Sequence, residues 1–364
     1  MRIEPKQQRR LRVLLITARA DHGGGPRHIL DLLKSFRCGD NPSQIEFYIC
    51  APEQEPYASQ FRELSNGFLE IPPRRFSIFA FFRLLRFVRN SKIDAIHSHG
   101  RGAGMFSRLL GAITGVRVLH TFHGIHREAS LMGRIKLLID QWLAHLPFTP
   151  IFVSVNEERE AFEFKCVRPA ARGVVIENAV DTSRFGKRNR SAMSDHQKSI
   201  RFGSFLRADK AKSPDLFLSL ANELRSEGTW SCAGISREEL KAEGELPPHL
   251  EVMGRIREPA GWLESLDIFL SCSRNEGLPI GVLEAMAANC ICLLSDISAH
   301  RHFGEKNAAL MFHAEDPGSA LELIRRIKDN PEVGRTVVAN ANRLIFERHT
   351  LSAFRAKLEA IYAI

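Results

Sequence analysis

Residues 267–296, DIFLSCSRNEGLPIGVLEAMAANCICLLSD, decide the architecture of this chain. An apolar run (DIFLSC, 267–272) enters a polar loop, a helical stretch follows Pro279, and a second apolar run (CICLLSD, 290–296) ends the unit. Short apolar runs on either side of one helix describe a β-α-β crossover, because strands buried on both faces are apolar throughout. Proline suits the first turn of a helix, where its missing N–H is not needed. Pro279 therefore places Glu276 in the loop and Glu284 inside the helix.

The same rhythm runs outward in both directions. Strands are expected at 11–17, 46–50, 94–99, 117–123, 150–155 and 173–177, and again at 200–206, 229–234, 250–254, 267–272, 290–296 and 308–312. Amphipathic segments separate them, such as Pro26 to Phe36 with Ile29, Leu33 and Phe36 on one face. Such alternation predicts an α/β fold of parallel sheets with helices on both sides. The rhythm breaks once, at the polar stretch GKRNRSAMSDHQKS (186–199), which reads as a linker. Two Rossmann-like domains are expected, at 1–185 and 186–350, with a last helix at 351–364 returning to the first domain. A length of 364 residues suits two domains. Ligands in open parallel sheets bind beyond the carboxyl ends of the strands, so a cleft between two such domains is the expected active site.

Composition narrows the classes. No stretch approaches the ~20 apolar residues of a membrane-spanning helix. The start, MRIEPKQQRRLRVLLIT, is basic and then apolar like a leader, but its apolar run, Val13 to Ile16, leads into a charged, glycine-rich loop and reads as a first strand. Seven scattered cysteines (Cys38, Cys50, Cys166, Cys232, Cys272, Cys290 and Cys292) show no CxxC pair and no zinc-ligand spacing. They fit small core residues in a reducing cytoplasm. A net charge of +9 favours anionic partners such as nucleotide phosphates or anionic lipid, and no nucleic-acid motif accompanies it.

Several segments carry chemistry. Glu276 and Glu284 flank a helix start: carboxylates accept hydrogen bonds from paired sugar hydroxyls, and the helix N–H groups suit phosphate. On spacing alone, two solvated glutamates at a turn fit equally well. Arg207, Lys210 and Lys212 follow the strand at 200–206, where cations neutralise a diphosphate leaving group. The turn D21-H-G-G-G-P-R-H28 lets backbone N–H groups approach a phosphate, although it lacks the GxGxxG order of dinucleotide sites. Histidines cluster at strand ends in IHSHG (96–100) and HTFHG (120–124). The aromatic, basic segment 76–92 fits either a core-packing helix or one lying on an anionic membrane leaflet, with packing the favoured reading.

Segment 273–287 resembles the E-x7-E motif of the family-4 retaining glycosyltransferases, whose GT-B fold consists of two facing Rossmann-like domains. The resemblance implies that Glu276 contacts the donor sugar and Glu284 the ribose hydroxyls, with Gly277 and Leu278 of the same loop on the donor side. Residues 205–218 resemble the family's Arg-x4-Lys pair, which falls on Arg207 and Lys212. Leu206 and Ser213 stand where the family usually has glycine, so Lys210 is a rival for the lysine role. The family's GG pair matches Gly23 and Gly24, the second nearest the donor phosphates. Its strand-end histidine matches His123, which would contact the transferred sugar, while His97 and His99 match another common signature of the family, with His97 read as structural. Asn178 and Asp181 match the segment before the interdomain linker, and Gly254 and Ile256 lie where the backbone receives the nucleobase. C232-A-G-I-S236 departs from the family's glycine–aspartate–glycine sequence.

These matches span about residues 11–345. They imply transfer of a sugar, with retention, from a nucleotide-diphosphate sugar (UDP favoured over GDP) to a glycan or lipid-linked acceptor in cell-envelope polysaccharide or glycolipid synthesis. The first domain would take the acceptor and the second the donor. No metal is expected, since Arg207 and Lys212 supply the positive charge and no DxD cluster occurs. The implied location is the cytoplasm, including the inner face of the membrane. A sugar-nucleotide epimerase, a phosphorylase and a non-catalytic nucleotide-sugar-binding protein share such a fold and stay open at this level.

Overall fold

The computed structural model describes residues 9–37, 44–125, 130–186 and 199–363. The chain divides into two compact units, Met1–Ile176 with Arg355–Ile364, and Glu177–Phe354.

In the first unit the elements are β1 (Leu11–Thr17), α1 (Gly24–Arg37), β2 (Ile45–Ala51), α2 (Tyr57–Leu64), β3 (Gly67–Glu70), α3 (Ile78–Asn90), β4 (Ala95–His99), α4 (Arg101–Thr114), β5 (Arg117–Thr121), α5 (Leu131–Leu143), β6 (Thr149–Phe152), α6 (Val155–Glu163) and β7 (Val174–Val175). The strands form one parallel sheet in the order β3-β2-β1-β4-β5-β6-β7. Strands β1 and β4 are wholly or mostly buried, as runs such as LRVLLIT and AIHSH require of central parallel strands. Leu14, Ile16 and Ile96 of the sheet meet Phe81, Leu84, Phe106 and Leu110 of the helices.

The second unit begins with the segment from Glu177, which includes a 3-10 turn at Thr182–Arg184. There follow β8 (Ile200–Phe205), α7 (Pro214–Glu223), β9 (Gly228–Ala233), α8 (Arg237–Lys241), β10 (Leu250–Val252), α9 (Ala260–Ser265), β11 (Ile268–Ser271), α10 (Ile280–Ala287), β12 (Ile291–Ser295), α11 (Ser298–Glu305), β13 (Leu310–Phe312), α12 (Pro317–Asp329) and α13 (Pro331–Arg348). Its parallel sheet runs β10-β9-β8-β11-β12-β13. Phe202 stacks on Trp230 with centroids 4.4 Å apart, and both join the core with Phe217, Leu270 and Ile324. The last helix, α14 (Leu351–Tyr362), contributes its residues from Arg355 onward to the first unit. There the Tyr362 hydroxyl lies 2.6 Å from His97 Nδ1, and Arg117 donates to the Ile361 carbonyl.

The division falls at Ile176/Glu177, ahead of the polar stretch read as a linker, of which 187–198 lie outside the described residues. Hydrogen bonding explains this. Asn178 Nδ2 donates to the Leu278 carbonyl at 2.6 Å, Val180 N donates to the His349 carbonyl, and Arg184 pairs with Glu258 and Glu284. All these partners lie in the second unit, and polarity of sequence does not register them. Two smaller differences have local causes. GFLE (67–70) forms β3 without the alternation or apolar run that announces a strand. Strand β6 stops at Phe152, short of the 155 expected, and Ser154 instead caps α6 by accepting from Glu157 N.

Cys50, Cys166, Cys232, Cys272, Cys290 and Cys292 are free and buried, and Cys38 lies outside the described residues. Among the described residues, no helix is long and apolar enough to cross a membrane.

Candidate active site

Each sheet reverses its strand order once, between β1 and β4 in the first unit and between β8 and β11 in the second. At such a switch point the flanking loops diverge to opposite faces and leave a crevice beyond the strand ends. In the second unit the loop after β8 carries Arg207, Lys210 and Lys212, and the loop after β11 carries Glu276. The segments singled out in the sequence therefore meet on adjacent strands.

They meet in contact. Lys212 Nζ donates to Glu276 Oε1 at 2.5 Å, and Ser273 Oγ donates to the same oxygen at 2.7 Å. Burial opposes the charge of Glu276, but the Lys212 ammonium and the two hydrogen bonds together hold its carboxyl below the usual range. The His300 side chain is also near; burial drives its pKa down to about 4, while Glu276 pulls the other way. Lys210 is exposed. The loop is fixed from within, since Asp209 Oδ1 accepts from Lys212 N at 3.0 Å, Asp209 also pairs with Arg207, and Arg274 N donates to the Ala211 carbonyl. Ser213, which stands where the resemblance expects glycine, adopts φ +46° and ψ +60° ahead of α7. An L-residue in that left-handed region costs roughly 1–2 kcal/mol, which accounts for the usual glycine.

Glu284 is buried inside α10, and Arg184 Nη1 donates to its Oε1 at 2.7 Å. Arg184 also reaches Glu258 Oε2 at 3.0 Å. Pro279 sits at the N-cap of α10, one residue before its first turn, and offers no side-chain acceptor to the helix. Leu278 is buried, its carbonyl held by Asn178. Gly254 has φ +68°, and its carbonyl accepts from Gly234 N; Ile256 is half-buried two residues on. Asp181 caps the 3-10 turn by accepting from Ser183 N.

In the first unit Gly24 opens α1 after β1, and a Cβ added to it meets no atom within 4 Å. Packing thus does not require glycine at this position. His28 of α1, His99 at the end of β4 and His123 beyond β5 form one cluster. His99 Nδ1 lies 3.2 Å from His123 Nε2, and the His28 and His123 rings are 4.5 Å apart. The three offer ring nitrogens within 4.8 Å of one another, close enough to share a cation. Burial holds His99 and His123 well below the usual histidine pKa, so both are neutral at pH 7. His123 itself has φ +64°. Glu157 accepts from Gly124 N and Val153 N, which pins the strained turn. His97 has partners at both ring nitrogens, Tyr362 and Thr121, as a structural residue requires.

Two family models match the chain, Glycosyltransferase Family 4 over residues 22–184 and Glycosyl transferases group 1 over residues 197–330. The chain belongs to the family-4 glycosyltransferases. This family-4 chain is 25% identical over 238 residues to the UDP-Gal:alpha-D-GlcNAc-diphosphoundecaprenol alpha-1,3-galactosyltransferase of Escherichia coli, covering 60% of the chain and 61% of that relative. It is 22% identical to the capsular polysaccharide biosynthesis glycosyltransferase CapH of Staphylococcus aureus, over 86% of the chain and 87% of the relative. Its fold is GT-B, shared with sucrose-phosphate synthase from Thermosynechococcus elongatus (TM-score 0.80, 15% identity, 97% and 98% covered). It is shared equally with Anabaena HepE in complex with UDP-glucose (TM-score 0.81, 11% identity, 97% and 100% covered).

The residues that the sequence did not bring forward are Arg184, Ser273, His300 and Glu157. Arg184 stands 100 positions from Glu284, and no periodicity links them. Ser273 lay inside the quoted motif, but only the fold shows that its hydroxyl turns onto Glu276.

Proposed function

We propose that the chain transfers a sugar from a nucleotide-diphosphate sugar, with UDP favoured, to a hydroxyl of a glycan or lipid-linked acceptor in cell-envelope polysaccharide or glycolipid synthesis, with retention at the anomeric carbon. The observation that carries this reading is the Lys212–Glu276 pair beside Arg207 at the switch point of the second sheet. The pair is already assembled: a carboxylate suited to sugar hydroxyls touches an ammonium suited to a diphosphate. On donor binding, Lys212 turns to the diphosphate with Arg207, and Glu276 Oε1 is released to accept from the sugar. Arg207 and Lys212 then stabilise the charge that develops as the glycosidic bond breaks, so the chemical step needs no metal or cofactor. Glu284, oriented by Arg184, accepts from the ribose hydroxyls. Gly277, Leu278, Gly254 and Ile256 line the donor side, and the second unit is the donor domain. The first unit takes the acceptor; the Gly24 backbone approaches the donor phosphates and neutral His123 hydrogen-bonds the transferred sugar. The names of the relatives from E. coli and S. aureus support the acceptor class.

A thermal-shift panel of nucleotide sugars tests the donor assignment, because a ligand at 100 Kd stabilises the fold by about 2.7 kcal/mol. A UDP-sugar should raise Tm, and incubation with an undecaprenyl-diphosphate-linked sugar should yield an extended product with retained configuration by NMR. Turnover should not change on titration with Mg2+ or Mn2+. An isomerised donor or a free sugar phosphate as the product would overturn the reading.

The acceptor class also favours peripheral contact with an anionic membrane at its inner face. Helix α3 buries Ala80, Phe81, Leu84 and Val88 but exposes Ile78, Phe79 and Phe82 beside exposed Arg83 and Arg86. Such a face suits an anionic leaflet. Phe79→Ser with Phe82→Ser should abolish co-sedimentation with phosphatidylglycerol vesicles; unchanged co-sedimentation would exclude this helix.

A further inference from the structure

We propose that Glu177, His302 and His349 form a divalent-cation site, of the chemistry that takes Zn2+, within the second unit. The three residues come from distant parts of the chain: Glu177 opens the unit, His302 lies on α11, and His349 follows α13. One ligand atom from each lies within 4.8 Å of the others. Two imidazoles and one carboxylate are donors that Zn2+ accepts readily, leaving a fourth position open in a tetrahedral arrangement. Zinc–ligand bonds of about 2.0–2.2 Å place tetrahedral ligand atoms about 3.4 Å apart, so the cluster need only tighten by side-chain rotation.

Hydrogen bonding supplies the second, independent observation. His349 is fully buried, and its Nδ1 lies 2.8 Å from the Asn178 carbonyl. A carbonyl only accepts, so the proton is on Nδ1 and a neutral ring presents its lone pair at Nε2. That Nε2 is buried and has no hydrogen-bond partner. Both ring nitrogens of His302 are in the same condition. Buried polar atoms are nearly always satisfied, and three unsatisfied imidazole nitrogens in one cluster need an explanation. A backbone carbonyl holding the far nitrogen is the usual outer support of a metal-bound histidine. The two rings lie edge to face with centroids 6.2 Å apart.

Arg348 is the competing partner, with Nη2 3.1 Å from Glu177 Oε2. It answers the carboxylate but none of the three imidazole nitrogens, and a carboxylate has oxygens enough for both an arginine and a cation. The His28, His99 and His123 cluster differs, since His99 and His123 already share a hydrogen bond there. A cation on Glu177, His302 and His349 would tie the first segment of the second unit to its last. It would also brace Asn178, whose side chain holds the Leu278 carbonyl.

The test is equilibrium dialysis of the full chain against Zn2+ buffered by a chromophoric chelator, with bound metal quantified by mass spectrometry. The expected result is about one tightly held ion per chain and a rise in Tm with Zn2+. His302→Ala, on the rim of the cluster, should lose that ion while circular dichroism stays native, and His302→Gln should lose it too. Arg348→Gln should tighten binding by removing the competitor. His123→Ala serves as the control and should retain the ion. No tight ion in the native chain, retention in both His302 variants, or loss in His123→Ala alone would overturn the assignment.

Discussion

Removing Lys212 leaves Glu276 as a largely buried carboxylate with its nearest positive charge gone. The side chains of the pair are 22% and 14% exposed, so water screens the interaction in part and the figures for fully dry pairs do not apply. A hydrogen bond to a charged group is worth about 1.5–3 kcal/mol, and the screened value belongs near the lower end. Lys212→Met should therefore cost about 2 kcal/mol, or about 4–8 °C in a unit of this size. Glu276→Gln keeps an acceptor for Ser273 and Lys212 and should cost about 1 kcal/mol. If the contact is real, the double variant costs less than the sum, with a coupling energy of about 1–2 kcal/mol.

The sign of the pH dependence follows from the depressed carboxyl of Glu276. Its stabilisation is present above the unfolded glutamate pKa and is lost as pH falls through the lower folded value. Glu276→Gln should flatten that acid limb. Activity provides the second axis: loss of one preorganised charged contact typically lowers kcat by about 10²–10³. Both Lys212→Met and Glu276→Gln should show this once UDP-sugar turnover is established, while Lys210→Ala stays near the native rate. Additive costs in Tm would refute the contact, and full activity in Glu276→Gln would refute its role in catalysis.

Three other perturbations separate fold from function. Gly24→Ala should raise stability by about 0.4–1 kcal/mol, since the added Cβ meets open space, yet weaken nucleotide-sugar binding measured by calorimetry; unchanged affinity would remove Gly24 from the donor site. Arg184→Ala should lower Tm and raise KM for the donor, because buried Glu284 loses the guanidinium that orients it; an unaltered KM would detach Glu284 from the ribose. Burial raises the Glu157 carboxyl from 4.5 to about 7, so the folded state holds its proton more tightly. Stability should fall by about 3 kcal/mol as pH rises from 4.5 to 7, with the loss complete above that window. In chemical denaturation, the difference between the native chain and Glu157→Gln should follow this pH course, and a flat difference would contradict it.

The fold was legible because burial in a parallel sheet imposes a local pattern. Most residues of a central strand are apolar or small, and a crossover helix shows an apolar stripe, so short windows such as 11–17 and 267–272 carry the message. Strand β3 was missed because a four-residue edge strand need not be apolar. The compact units divide at Ile176/Glu177, ahead of the polar stretch, for a related reason. Residues 177–186 are tied to the second unit by bonds to Leu278, His349 and Glu284, about 100 or more positions away, and composition does not record distant partners.

The same distinction applies to the site. Sequence alone determined the two-domain parallel α/β class and brought forward Glu276, Glu284, Arg207 and Lys212, because strand-end loops and helix starts are local features with local signatures. Tertiary structure alone decided which cation meets which carboxylate. Lys212 rather than Lys210 lies against Glu276, and Arg184 lies against Glu284. It also gathered Glu177, His302 and His349 into one cluster. A hydrogen bond or a ligand sphere depends on where side chains end in space, and that is fixed by the register of adjacent parallel strands and the turns that follow them.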